Sequence, residues 1–206
     1  MCRFIESIRV ERGEVSHLTY HQSRMDKTAR HFFGRKSDIC LEDLAHSYLH
    51  DPSHDFLFSD LYKMRLVYSQ KVEQVTFHRY TLPLIKSLQC VEDDSIDYSF
   101  KYLDRSPLEQ LFSRKGECDD ILVIKNGCVT DSSYANVAFF DGHDWHTPQI
   151  PLLKGTQRAI LLEQSWIKLT NITLLELPRY TKARLFNAMI RWEDELDIEM
   201  SDIHLP

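Results

Sequence analysis

The chain has 206 residues, 43% apolar and 27% charged, enough for one large domain or two small ones with cores of their own. A net charge of -6 without any basic run gives no reason to expect nucleic-acid binding, and no apolar stretch approaches the ~18 residues of a membrane helix. Five cysteines with no C-x-x-C spacing argue against a disulfide framework and a zinc site, and charge interrupts the N-terminus too early for a signal peptide, so cytoplasm is the expected location.

In chain order, residues 4–10 alternate and are rich in β-formers, which predicts a strand; Gly13 supplies a turn and 14–18 the return strand. A helix is expected over 20–33, closed by Gly34 in the C′ position, and a second over 41–49, closed by a turn at Asp51, Pro52 and Ser53. Residues 62–68 and 72–80 read as a hairpin. The proline-bearing stretch around Pro83 then marks a boundary between a small α+β domain, 1–84, and a larger β-rich domain, 85–206. The second part opens with a strand near 88–91 and a helix over 107–113, with Ser106 as N-cap, Pro107 at N1 and Glu109 at N3 in a capping box. Asn126-Gly127 between 120–124 and 128–130 is a strong hairpin signal, and Asp141-Gly142 between 137–140 and 145–147 marks another. A helix over 156–164, strands at 172–175 and 184–187 and an acidic tail complete a mixed α+β pattern without repeats.

Residue by residue, the chemistry stays open. Lys101, on a mostly apolar run, is either an edge lysine or an amine poised to attack a carbonyl. Asp131, after a hairpin, is either a turn former or a ligand, and Arg24 on an amphipathic helix is more often a surface residue. Gly155-Thr156-Gln157 just ahead of a helix would offer backbone N–H groups to an anion, or simply be a capped helix start. His143 and His146 have no third ligand nearby, so no metal site is expected.

The order of these pieces is more specific, and it resembles the class IV aminotransferase family, the fold-type IV pyridoxal-phosphate enzymes, from Phe4 to about Ile190. Phe4-Ile-Glu6-Ser7-Ile-Arg9-Val10 is similar to the family's F-E-[ST]-x-R-V strand, and His21-Gln-Ser-Arg24 to its H-x-x-R helix. Lys101-Tyr-Leu-Asp104-Arg105 resembles the K-x-L-N-R of the 4-amino-4-deoxychorismate lyase branch, with Asp104 in place of asparagine. Gly127-Cys-Val-Thr-Asp131-Ser-Ser-Tyr-Ala-Asn136 resembles G-x-V-[ST]-E-x-x-x-x-N, Thr147-Pro148 and Gly155-Thr156-Gln157-Arg158 resemble the phosphate-holding T-P and G-[IT]-x-R, and Asn187-Ala188-Met189 the lyase's N-[AS]-[LM] loop.

The resemblance implies a two-domain fold of the D-amino-acid aminotransferase type, N-terminally shortened, with the Schiff-base lysine in the second domain. It implies pyridoxal 5'-phosphate as cofactor, joined to Lys101 and contacted by Arg24, Asp131, Asn136, Gly155, Thr156 and Gln157. Ser7 would assist protonation beside the catalytic Lys101, and Asn187, Ala188, Met189, Arg65 and Arg105 would face the substrate, with Arg9 a further partner for a carboxylate. The implied reaction is release of pyruvate and p-aminobenzoate, a folate precursor. Transamination of a branched-chain or D-amino acid, or cofactor binding without turnover, are the alternatives. A homodimer is expected by resemblance. Two departures stand out: Asp131 is a methylene shorter than the family's glutamate, and Arg191-Trp192-Glu193-Asp194 follows the Asn187 loop where proline-valine is common.

Overall fold

The computed structural model describes residues 2–49, 51 and 60–206. Contacts divide the chain into two units, Met1–Leu82 with Phe100–Asp104, and Pro83–Ser99 with Arg105–Pro206. The turn expected at Asp51, Pro52 and Ser53 lies mostly outside the described residues.

The first unit is a four-stranded antiparallel sheet in the order β2-β1-β3-β4, from β1 (Phe4–Glu11), β2 (Glu14–Val15), β3 (Leu61–Tyr68) and β4 (Val72–Arg79). Helices α1 (Leu18–Phe33) and α2 (Leu41–Leu49) belong to the same unit. The return strand is shorter than the sequence suggests, because His17 turns into the left-handed region (φ 57) and α1 starts at Leu18. Gly34 ends α1 at φ 73, its N–H bonded to Arg30 O at 3.1 Å, a conformation glycine adopts without steric cost.

Strand alternation sends Phe4, Ile8 and Val10 of β1 and Tyr62, Met64, Leu66 and Tyr68 of β3 into one core with Met25 of α1 and Leu41 and Ala45 of α2. The opposite sheet face carries Ser7, Arg9, Lys63 and Arg65, since Ser7 pairs with Arg65 and Arg9 with Lys63 across the strands.

A division after residue 84 assigns Lys101 to the second part of the chain; the contacts place it with the first. Residues 100–104 return to β1, where Ile5 N–H donates to Lys101 O and Leu103 N–H to Arg3 O, both at 2.9 Å. The flanking rings fix the segment. Phe100 lies 4.9 Å from Phe32 and 4.6 Å from His31, and Tyr102 lies 5.6 Å from Phe4, centroid to centroid.

The second unit is built on a nine-stranded mixed sheet. Its main path runs β10 (Lys168–Thr170), β9 (Trp145–Pro148), β8 (Asn136–Phe140), β7 (Cys128–Ser132), β6 (Asp120–Lys125), β5 (Leu88–Glu92), β13 (Ile203–His204). Strand β11 (Lys182–Phe186) branches from β8 and carries β12 (Asp197–Glu199). Helices α3 (Ser106–Phe112) and α4 (Thr156–Glu163) belong to this unit. The β6–β7 hairpin turns through Asn126 (φ 52) and Gly127 (φ 71), two successive positive φ angles as a type I′ turn needs.

Two expectations need correction. Ser106 lies inside α3 and Arg105 is the N-cap, with no side-chain cap bond; Pro107, which has no N–H to satisfy and a φ already set for helix, makes such a cap dispensable. The strand expected at 172–175 is instead a single bridge at Thr173 to Cys128, followed by a 3₁₀ turn over Leu174–Arg179. Glu176 Oε2 accepts from both Thr173 N–H (3.0 Å) and Thr173 Oγ1 (2.8 Å), which starts the turn.

Arg184 of β11 sits 4.9 Å from the Trp145 ring and 4.8 Å from the Trp192 ring, paired with Asp197 and donating from Nη1 to Trp192 O at 3.0 Å. This packing fixes the 3₁₀ turn Trp192–Asp194.

If the aromatic contacts hold the Lys101 segment to β1, Phe100→Ala should lower the unfolding free energy by about 2 kcal/mol. It should also speed amide hydrogen exchange across 100–104 while leaving β6 unchanged. Unaltered exchange in that segment would show that the rings do not secure it.

Candidate active site

In the first unit, the site begins with a carboxylate on the wrong side of a strand. Glu6 has the parity of Phe4 and Ile8, so its side chain enters the apolar core, where it is fully buried. Two α1 residues three apart meet it there. Arg24 Nε donates to Glu6 Oε1 at 2.9 Å while Nη2 bonds Oε2, a side-on bidentate pair, and His21 Nδ1 lies 2.6 Å from Oε2.

Burial alone would raise the Glu6 pKa; the Arg24 charge, followed by the His21 hydrogen bond, outweighs it and holds Glu6 near about 2. Burial pushes His21 the other way, below the usual imidazole range, opposed by Glu6 and reinforced by the charges of Arg24 and Lys101. The cluster is therefore carboxylate, guanidinium and a neutral imidazole donating through Nδ1–H, with the Lys101 ammonium close enough to be felt. Ser7 and Arg65 stand on the other face of this sheet, both half-buried.

In the second unit, Asp131 of β7 and Asn136 of β8 face each other as the single register pair of those strands. Asn136 Nδ2 donates to Asp131 Oδ1 and to Leu153 O, both at 2.8 Å, and Leu153 N–H donates to Asp131 Oδ2 at 2.8 Å. Asn136 thus clamps the carboxylate to the turn that leads into α4. Gly155 is required beside it: a Cβ there would stand 2.0 Å from Asn136 Oδ1.

From Gly155, extended at φ -67 and ψ 151, α4 starts without any side-chain cap, and Thr156, Gln157 and Arg158 are all buried. The first N–H groups of a helix have no partner within it, so they form a donor set suited to an anion. Arg158 itself serves the fold, donating from Nη2 to Pro148 O at 2.7 Å.

Asp131 differs from Glu6 in what compensates its burial. No lysine or arginine forms an ion pair with it among the described residues, and its hydrogen-bond donors are neutral amides. Burial accordingly raises its pKa to about 6, against the Leu153 and Asn136 hydrogen bonds and the more distant Arg158 charge.

Other expected residues have structural partners. Arg105 Nη2 donates to Ser133 O at 2.9 Å, and its guanidinium lies 5.7 Å from the Tyr98 ring. Asn187 holds its own loop: Oδ1 accepts from Met189 N–H at 2.7 Å and Ile190 N–H at 2.9 Å, leaving Ala188 half-buried and Met189 buried. Arg24, Lys101, Ser7 and Arg65 therefore belong to the first unit, and Asp131, Asn136, Gly155, Thr156, Gln157, Arg105, Asn187, Ala188 and Met189 to the second. Among the described residues no cluster of His, Cys, Asp and Glu suits a metal ion, and no helix is long and apolar enough to cross a membrane. Sequence reasoning missed the roles of Glu6 and His21, although a carboxylate at an inward strand position demands a partner.

No family model matches the chain. An uncharacterised protein of Haemophilus influenzae is 34% identical over 189 residues, 92% of this chain and 98% of that protein. A crystal structure from Haemophilus somnus, provisionally described as a 4-amino-4-deoxychorismate lyase, is also 34% identical; the match covers 93% of this chain and 98% of that one, with a TM-score of 0.84. A fold IV transaminase from Curtobacterium pusillum shares the fold at 16% identity, covering 96% of this chain and 78% of that one, with a TM-score of 0.74. The chain belongs to the class IV aminotransferase family, the pyridoxal-phosphate enzymes of fold type IV. Within that family its relatives include both provisionally assigned lyases and aminotransferases.

The Asp131 geometry sets a pH dependence. Its folded pKa is raised from 3.8 to about 6, so its contribution to stability is complete below pH 3.8 and is lost as pH rises through about 6. Asp131→Asn removes this loss. The stability of wild type minus variant, from urea unfolding, should fall by about 2 kcal/mol between pH 4 and 7. A difference that does not change with pH would contradict the buried, cation-poor carboxylate.

Proposed function

We propose that this chain binds pyridoxal 5'-phosphate and acts as a 4-amino-4-deoxychorismate lyase, releasing pyruvate and p-aminobenzoate. The observation that carries the reading is its 34% identity, across 93% of its length, to the Haemophilus somnus protein described in those terms. The donor sets support it. Asp131 is a buried carboxylate in want of a cation, which a protonated pyridine nitrogen supplies, and the Arg24 guanidinium and the α4 start suit a phosphate.

When bound, the cofactor supplies an electron sink for charge developing at the carbon that bears the substrate amine. Lys101 Nζ would be the amine that holds the cofactor and the base for the proton on the substrate Cα. Arg24 of the first unit, and by itself the α4 start with the N–H groups of Thr156 and Gln157, would suit a phosphate, and Asp131 would keep a ring nitrogen protonated. Asn136 acts by orienting Asp131 and the Leu153 turn. Ser7 would assist proton return, and Lys63 and Arg65 on its sheet face would favour a substrate with two carboxylates over a simple amino acid, whereas Arg9 on that face is paired with Glu11 at 3.4 Å. Ala188 and Met189 of the Asn187 loop, and Arg105, would face the substrate. The reading extends to a cytoplasmic homodimer in folate-precursor synthesis.

Purified protein with added cofactor should release pyruvate and p-aminobenzoate in equal amounts from aminodeoxychorismate, followed by a lactate dehydrogenase coupled assay. Lys101→Ala should lower the rate at least a thousandfold, as for loss of a covalent catalyst, about 4 kcal/mol. A keto acid formed from an amino acid, with no pyruvate from aminodeoxychorismate, would establish the aminotransferase instead. Cofactor uptake with neither product would establish a binding homologue.

A further inference from the structure

We propose that Glu6 is a positioning residue that acts through Arg24: with His21 it holds the guanidinium in the one orientation that presents its outer edge to the cofactor phosphate. This deepens the preceding reading and rests on it. The argument is one of donor geometry. A guanidinium has five N–H donors in a plane, and Glu6 takes the Nε edge together with one hydrogen of Nη2. A pair made through that edge fixes the plane and directs Nη1 away from the carboxylate.

His21 locks the other member. Its Nδ1 meets the same Oε2 that Arg24 Nη2 engages, so the carboxylate cannot rotate without breaking contacts to two residues. The backbone carbonyl of Arg24 accepts a further bond within α1, from Thr28 Oγ1 at 3.0 Å. Glu6 is fully buried and Arg24 is mostly buried, so the pair is neither solvated nor free to swing. A buried ion pair of this kind gives little net stability against an apolar replacement. What it gives is orientation, and orientation of an arginine matters where a planar fork must meet phosphate oxygens.

The test compares two aldehydes that differ only by the phosphate. Apo-protein is titrated with pyridoxal 5'-phosphate and with pyridoxal, following absorbance and tryptophan fluorescence. Glu6→Gln, which keeps the shape and removes the charge, should weaken pyridoxal 5'-phosphate binding at least tenfold, about 1.4 kcal/mol, and change pyridoxal binding less than twofold. In an Arg24→Ala background the same Glu6→Gln change should have no further effect on either compound, because Glu6 acts through Arg24.

A Glu6→Gln protein that keeps the wild-type preference for the phosphorylated aldehyde overturns the proposal. Equal weakening of both compounds also overturns it, since a merely structural role would loosen the whole unit. Should Glu6→Gln fail to fold, Glu6→Asp carries the same comparison, with the charge kept and withdrawn by one methylene. Wild-type protein that takes up neither aldehyde would instead remove the cofactor assignment and, with it, the phosphate that Arg24 is positioned to meet.

Discussion

A carboxylate cannot enter a protein core ionised unless something replaces its water, and Glu6 and Asp131 are buried with different replacements. Glu6 receives a guanidinium and an imidazole N–H, and its pKa falls to about 2. Asp131 receives two neutral amide donors, and its pKa rises to about 6. The first arrangement is electrostatically complete and its product is a fixed arginine. The second has only neutral donors and no ion-pair partner among the described residues, and the proposed reading completes it with the protonated ring nitrogen of the cofactor.

Local structure serves these two carboxylates. Glu6 meets its partners because β1 places it at inward parity and because His21 and Arg24 lie one helical turn apart on α1. Asp131 meets its donors because the Asn126-Gly127 turn sets the β6–β7 hairpin, β8 returns with Asn136 directly opposite, and Gly155 leaves room for the Asn136 amide. Lys101 is flanked by Phe100 and Tyr102, and its backbone lies along β1 through an isolated bridge between Phe4 and Tyr102. Catalytic amines and phosphate ligands need this sort of preparation, since a misplaced donor loses most of its effect on the rate.

Much of this was legible in the sequence because it is written in local signals. Alternation gave the strands of the first sheet, Asn126-Gly127 gave the tightest hairpin, and Gly34 gave the end of α1. Where non-local contacts decide, reading along the chain fell short. The 100–104 segment follows residues of the second unit in sequence but joins the first through ring contacts that no periodicity encodes. The turn at Thr173 depends on a side-chain cap from Glu176 that competes with strand formation. Glu6 was visible only as part of a motif; its inward parity beside Ile8 already required a cation, and Arg24 was the candidate. Asn187 and Arg105 looked like substrate ligands, yet much of their hydrogen-bonding capacity goes to the fold.

The most direct test of the chemistry is to trap the lysine. Apo-protein incubated with pyridoxal 5'-phosphate is reduced with borohydride, digested and sequenced by mass spectrometry. A single pyridoxyl group on the peptide that contains Lys101 is the expected result. The same group on Lys125 or Lys154, with Lys101 unmodified, would contradict the assignment of Lys101 and with it the proposed site.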